Sequence, residues 1–401
     1  MSIALRPNTG RYSPLYFLAS LGAGGLAVTF FMYLMFWVPH PGQPVPVFED
    51  IAAAWSAGGW VSYAIPVALL GIAVFAALNI WMLVANIAAY NRFAQTEGFD
   101  KLLASNANTQ RLAMPLAFAM SINAGFILGL VFVPGLWGIV EYLFPLALIA
   151  FGATGYLALR MIGQFLSRVL TEPDSFEEAA NASFAQMLPA FALSMVAVGF
   201  AAPAAMSHTP LTVAAGLIGS TFFAAGAVIL AGIALIAGVI SMLRHGLIAE
   251  QAPTVLVIVP ILTVLGIMMI RQAHGLHVVF EAHGAKADTL MLTSQLLSVQ
   301  LLFGLLGLAL LSKTNYVQQF LREGLSPGAY ALVCPGVALS VMLHFWINKG
   351  LVGAGLIAKF GIAYWGLTAL ALGLQFGMIA LVVYLNRQHF GAARTAGVPA
   401  E

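Results

Sequence analysis

The chain holds one thiol, Cys334, and a proline follows it at once in "GAYALVCPGVALSVMLHFWINKGL" (Gly328–Leu351). A single cysteine forms no internal disulfide and no cysteine-based zinc site, so it is a small buried residue, part of the wall of a passage, or a reactive thiol. Proline suits the first turn of a helix, where its missing N–H is no loss. Pro335 is therefore expected to begin a half-helix with Cys334 as its cap. The helix dipole there favours a thiolate and apolar burial opposes it.

Three other groups carry polar chemistry. Arg271, Lys349 and Lys359 are expected at the end of one apolar segment, the end of a second and the first turns of a third, with His344 and Asn348 close to Lys349. They form either a positive mouth that concentrates anions, less so as salt rises, or snorkelling anchors for helix ends. "HGLHVVFEAHG" places His274, His277, Glu281 and His283 in a loop, at a spacing that matches no standard zinc or copper site. Asn79, Asn86 and Asn123 suit interhelical hydrogen bonds. There is no P-loop, no "HExxH" and no nucleophile with a plausible base beyond Cys334, so neither an enzyme activity nor a cofactor is expected.

Composition says what must position these groups. Of 401 residues, 61% are hydrophobic and 7% charged, against roughly a quarter charged in soluble domains. The net charge of +2 and the lack of a basic run exclude a nucleic-acid partner. Since ~20 helical residues cross the hydrocarbon of a bilayer, the apolar runs predict ten spans, at about 15–38, 61–89, 112–133, 138–163, 187–206, 211–243, 254–273, 290–312, 328–347 and 354–385. The expected layout is one membrane domain: a terminal segment 1–14, a ten-helix bundle 15–385 and a tail 386–401. With both termini cytoplasmic, twelve of the sixteen basic residues fall inside: Arg6, Arg11, Arg92, Lys101, Arg111, Arg160, Arg168, Arg244, Lys313, Arg322, Arg387 and Arg394. Arg271, Lys286, Lys349 and Lys359 are left for the outer side.

The prolines repeat. Pro115 in "RLAMPLAFAMSINAGF", Pro189 in "AQMLPAFALSMVAVGF", Pro260 in "VLVIVPILTVLGIMM" and Pro335 in "YALVCPGVALSVML" stand 74, 71 and 75 residues apart. The first odd helix offers "LGAGGLAV" (Leu21–Val28) instead, with Pro14 at its entrance. Five tandem hairpins follow, and each proline should kink its odd-numbered helix mid-membrane. Freed backbone groups do not face lipid, so five such helices around one axis would line a wet cavity.

This pattern resembles the tellurite-resistance/dicarboxylate transporter family, which includes TehA-like proteins and plant slow-type anion channels. The resemblance rests on ten helices in five hairpins, the proline period and "YALVCPGVAL" in helix 9. It implies a pseudo-fivefold central pore with odd helices inside, a gating phenylalanine just before the helix 9 proline, and a homotrimer in a plasma (bacterial inner) membrane. It also implies small anions as substrates, among them sulfur, selenium or tellurium oxyanions and dicarboxylates. Cys334 stands where that phenylalanine is expected, a departure similar to a TsoY-type (seleno)protein subgroup. Bulky residues on facing helices would then fill the axis: Phe30 or Phe31, Phe118 or Phe126, Phe191 or Phe200. The leading expectation is an anion channel or facilitative transporter, the rival a membrane thiol redox protein using Cys334.

Overall fold

A computed structural model describes Pro7, residues 12–282 and residues 285–391, except for the side chain of Lys286. Arg6, Arg11, His283 and Arg394 lie outside the described residues, as does the side chain of Lys286.

Apolar runs this long bury their backbone groups only as helices, and the described residues form helices and connecting turns with no strand. Among the described residues ten helices are long and apolar enough to cross a membrane: span 1 (Pro14–Trp37), span 2 (Trp60–Phe93), span 3 (Asn106–Phe132), span 4 (Leu136–Thr171), span 5 (Ala185–Met206), span 6 (Pro210–His245), span 7 (Ala249–Phe280), span 8 (Ala287–Lys313), span 9 (Pro327–Val352) and span 10 (Ile362–Phe390). The chain has the architecture of a multi-pass, all-helical membrane protein. The start of span 1 and the end of span 10 lie together, for the Tyr16 hydroxyl and His389 Nδ1 are 3.0 Å apart.

Odd and even spans differ in burial. The most apolar windows of the odd spans are 50–100% buried, those of the even spans 22–39%. Span 1 packs on span 3, span 3 on span 5, span 5 on span 7, span 7 on span 9, and span 9 back on span 1. Each even span packs on the odd span before it and exposes large apolar side chains such as Leu146, Ile149, Ile233, Leu302 and Leu370, the surface that lipid tails would cover.

Every odd span begins as 3-10 helix and continues as α-helix, the α parts starting at Phe17, Ala113, Leu188, Ile258 and Val333. Pro115, Pro260 and Pro335 are third in their α parts and Pro189 is second. A proline ring clashes with the carbonyl four residues back, so a continuous α ladder stops there and the tighter 3-10 turns precede it. In the first turn the missing N–H has no intrahelical partner to lose. The break thus lies nearer the end where the odd spans start than at mid-membrane. Neighbouring spans keep the register of their prolines: the Thr263 hydroxyl, three residues after Pro260, donates to the Ala338 carbonyl, three after Pro335, at 3.0 Å.

Several expected boundaries move, among them the end of span 4, at Thr171 rather than 163, the start of span 3, at Asn106 rather than 112, and the end of span 9, at Val352 rather than 347. Span 7 runs on to Phe280, so Arg271 sits within the helix rather than at its end, and His274 and His277 are helical rather than in a loop. A charge in the sequence reads as a stop, but it is tolerated in a helix that turns it toward a cavity. Span 10 begins at Ile362, not near residue 354, and Lys359 lies in the turn before it. Hydropathy does not detect that turn, which Gly355 (φ 74) and Phe360 (φ 64) make with left-handed backbone. Span 10 also continues to Phe390, past the expected bundle limit at 385.

Candidate functional site

Two cavities occupy the middle of the ring. The larger, about 590 Å³, is lined by residues of all five odd spans and reaches the end opposite the starts of those spans, where Pro44, His277, Asp288 and Lys349 line it. The smaller, about 320 Å³, opens among the starts of the odd spans and is lined there by Ser13, Gln110, Glu250, Gln251 and Ser326. Two residues line both cavities, Cys334 and Phe191. They form the partition between the two spaces.

Span 9 sets the thiol at that level in a defined way. The Ser326 side chain caps its start by accepting from the Gly328 N–H at 3.3 Å, Pro327 enters the 3-10 turn, and the α part starts at Val333. Leu332 is therefore the cap of the α part, and Cys334 is its second residue, not the cap. Spans 1 and 9 approach closely beside it: a Cβ on Gly22 or Gly25 would lie 2.9 and 2.8 Å from Cγ1 of Val333 and Val337.

The wall above the partition is mostly apolar. Met32, Met35, Met120, Met195 and Met206 line the larger cavity together with Phe31, Phe126 and Phe345. The polar exceptions at depth are Thr263 and Asn123. The Thr263 hydroxyl also lies 3.2 Å from the Val259 carbonyl and accepts from Gln300 Nε2. Asn123 donates to the Ala119 carbonyl of its own helix at 3.0 Å. It also donates across to Met195 Sδ of span 5 at 3.9 Å, as Asn79 and Asn86 bond across helices to Ser20 and to the Tyr16 carbonyl.

Charge gathers toward the open end of that cavity. Arg271 lines it, and its Nη1 donates to the Val198 carbonyl of span 5 at 3.0 Å. Arg271 forms no ion pair with a carboxylate among the described residues. Lys349 lines the same cavity on a π-helical turn, Trp346–Val352. Lys359, outside the spans, sits 5.0 Å over the Phe360 ring and is held below the usual lysine range, by burial first and by the Lys349 charge second. His40, also outside the spans, is lowered chiefly by burial, with Lys349 and Lys359 adding to that effect.

The sequence-predicted residues divide accordingly. Cys334, Phe31, Phe126, Phe191, Pro260, Arg271 and Lys349 line the larger cavity. Phe200 does not: its ring stacks on Phe223 of span 6 at 5.5 Å, because Gly219 leaves room there. Phe30 likewise stacks outward on Phe75, at 5.9 Å. His344 is not at the mouth. It is fully buried, with Phe36 stacked at 6.3 Å, and neither ring nitrogen has a hydrogen-bond partner among the described residues. Pro115, Pro189 and Pro335 shape their helices without lining the larger cavity, and Lys359 is not in its lining either, though it is close enough to the lining Lys349 to feel its charge. Among the described residues no three histidine, cysteine, aspartate or glutamate side chains gather as a metal site would require.

Sequence reasoning missed the methionines and the polar rim of the smaller cavity. Met32 and Met35, three apart on one helix face, were a readable signal; Gln110, Gln251 and Ser326 were not, since they meet only through the fold. Compared with protein-family models, with curated proteins and with solved structures, the chain matches none.

Proposed function

We propose that the chain is a channel or facilitative transporter that passes small anions along a central conduit, with Cys334 and Phe191 at its narrowest level. The observation that carries this reading is the meeting of two cavities, one reached from each end of the bundle, at those two side chains. Mutual packing of the odd spans supports five hairpins around a pseudo-fivefold axis, odd spans inside and even spans outside. The sign of the permeant ion follows from Arg271 and Lys349 in the wall, which attract anions and repel cations. Among the described residues the only carboxylate in the wall of the larger cavity is Asp288, in the first turn of span 8, so proton coupling through a deeply buried acid forms no part of the reading.

On this reading the chain is a tellurite-resistance/dicarboxylate transporter-like homotrimer in a plasma (bacterial inner) membrane, with both termini cytoplasmic as the positive-inside count favours. The redox alternative has one observation in its favour, that Cys334 lines both cavities and is within reach of a small oxidant. Nitrate and sulfite flux in proteoliposomes separates the two. A conduit keeps its flux in Cys334→Ser, whereas a thiol enzyme loses its activity. Absence of flux for every anion of a broad panel would overturn the conduit.

A further inference from the structure

The larger cavity has two surfaces in sequence along its axis. At depth it is walled by methionine, valine and phenylalanine, and its first strong donor group on the way out is the Arg271 guanidinium. Thr263 spends its hydroxyl on backbone carbonyls, and Asn123 turns part of its amide to its own helix. A small inorganic oxyanion moving below Arg271 would exchange water for thioethers and hydrocarbon, an unfavourable trade. An apolar chain would gain there, and unbranched, polarisable methionine side chains adapt to chains of different shape.

Arg271 is suited to hold a head group. Its fork offers five N–H donors, of which one bonds to Val198, and no carboxylate neutralises it among the described residues. It stands twelve residues beyond Val259, the residue that precedes Pro260 as Cys334 precedes Pro335. At ~1.5 Å per residue this is about 18 Å of helix between the guanidinium and the level of the partition. A volume of about 590 Å³ is also that of pockets which enclose an organic ligand. No second cation lines the deep end, so a dicarboxylate would bury one charge unpaired.

We propose that the larger cavity binds amphipathic organic monoanions, a carboxylate or sulfonate on Arg271 with an unbranched alkyl chain along the methionine-lined wall toward Cys334. The inference rests on the anion-conduit reading and narrows its substrate class.

The test uses the full chain in lipid nanodiscs and measures binding by thermal shift with acetate, butyrate, hexanoate and octanoate. Controls are nitrate, the dicarboxylate suberate and the neutral octanamide. Affinity is expected to rise by about three- to fourfold per added methylene, the equivalent of ~0.8 kcal/mol, with octanamide and suberate at least about tenfold weaker than octanoate. Arg271→Gln should remove the preference for octanoate over octanamide. Should that variant not fold, Met195→Trp, which shortens the cavity, should shift the optimum to a shorter chain. Binding independent of chain length, or suberate or nitrate bound as tightly as octanoate, would overturn the inference. Nitrate flux in proteoliposomes without octanoate binding overturns it while leaving the conduit standing. Octanoate binding to the wild type and not to Arg271→Gln, without flux of any anion, upholds the site and removes the conduit.

Discussion

The two cavities meet at Cys334 and Phe191 and differ in what an ion would meet on either side. The larger presents apolar side chains at depth and the cations Arg271 and Lys349 farther out. The smaller presents short neutral polar groups and one carboxylate, Glu250, whose Oε1 accepts from the Ser326 hydroxyl at 2.8 Å. Local structure explains the contrast. The smaller cavity is built from the 3-10 starts of the odd spans and the turns before them, where serine, threonine and glutamine serve as caps and turn residues. The larger is built from α-helical faces, which in a membrane are apolar by default, so any cation there is a costly exception. In the proposed conduit such asymmetry would give one side on which anions collect and one on which they do not.

The largest expected effect lies at the partition. Phenylalanine is much larger than cysteine, and Cys334→Phe would set a second ring beside Phe191. Nitrate flux in proteoliposomes should fall by about tenfold or more, the equivalent of ~1.4 kcal/mol on the barrier, while Cys334→Ala keeps or raises it. A small thiol reagent should block the wild type from either end and spare the alanine variant. Unchanged flux in Cys334→Phe would mean that the two cavities do not communicate through this level.

Next in size is the charge of the larger cavity. Arg271→Gln and Lys349→Gln should each lower nitrate flux several-fold at low ionic strength and less at high, as the Debye length shrinks from ~30 Å at 0.01 M to ~3 Å at 1 M. Lys359→Gln should act in the same direction but more weakly, since Lys359 is not in the lining of the cavity. Equal losses at both salt concentrations would point to anchoring of helix ends instead. On the other side of the partition, Glu250→Gln should raise flux by less than about twofold, as expected of a screened, exposed charge. The amide oxygen still accepts from Ser326, so the fold is kept. A large effect of Glu250→Gln would erase the contrast between the cavities.

Much of this frame was legible in the sequence. The proline period located four of the five transitions from 3-10 to α-helix, because a proline's missing N–H and ring clash act locally whatever surrounds them. The same period put Cys334 beside the right proline. What was not legible is rotation about each helix axis. Phe31 and Phe30 are neighbours, yet one faces the cavity and the other packs outward on Phe75. In a helix that is apolar on every side, no polar stripe marks the inner face, so Phe200 could not be told from Phe191. The turn before span 10 escaped for a related reason, since glycine and phenylalanine in left-handed backbone are as hydropathic as in a helix.

His344 gives the smallest expected effect on flux and the sharpest check on helix rotation. Sequence position places it with Lys349 at the mouth, one turn away on span 9, but it faces span 1, fully buried against Tyr33 and Phe36. Both ring nitrogens lack partners among the described residues, and a buried polar atom left unpaired costs ~1–3 kcal/mol. Leucine in its place removes those atoms and keeps an apolar side chain of comparable size between the same rings. His344→Leu should therefore hold or raise thermal stability, and nitrate flux should match the wild type at low and high salt alike. If flux instead fell at low salt in the manner of Lys349→Gln, the imidazole would face the anion pathway, and the face of span 9 assigned to the cavity would have to turn with it.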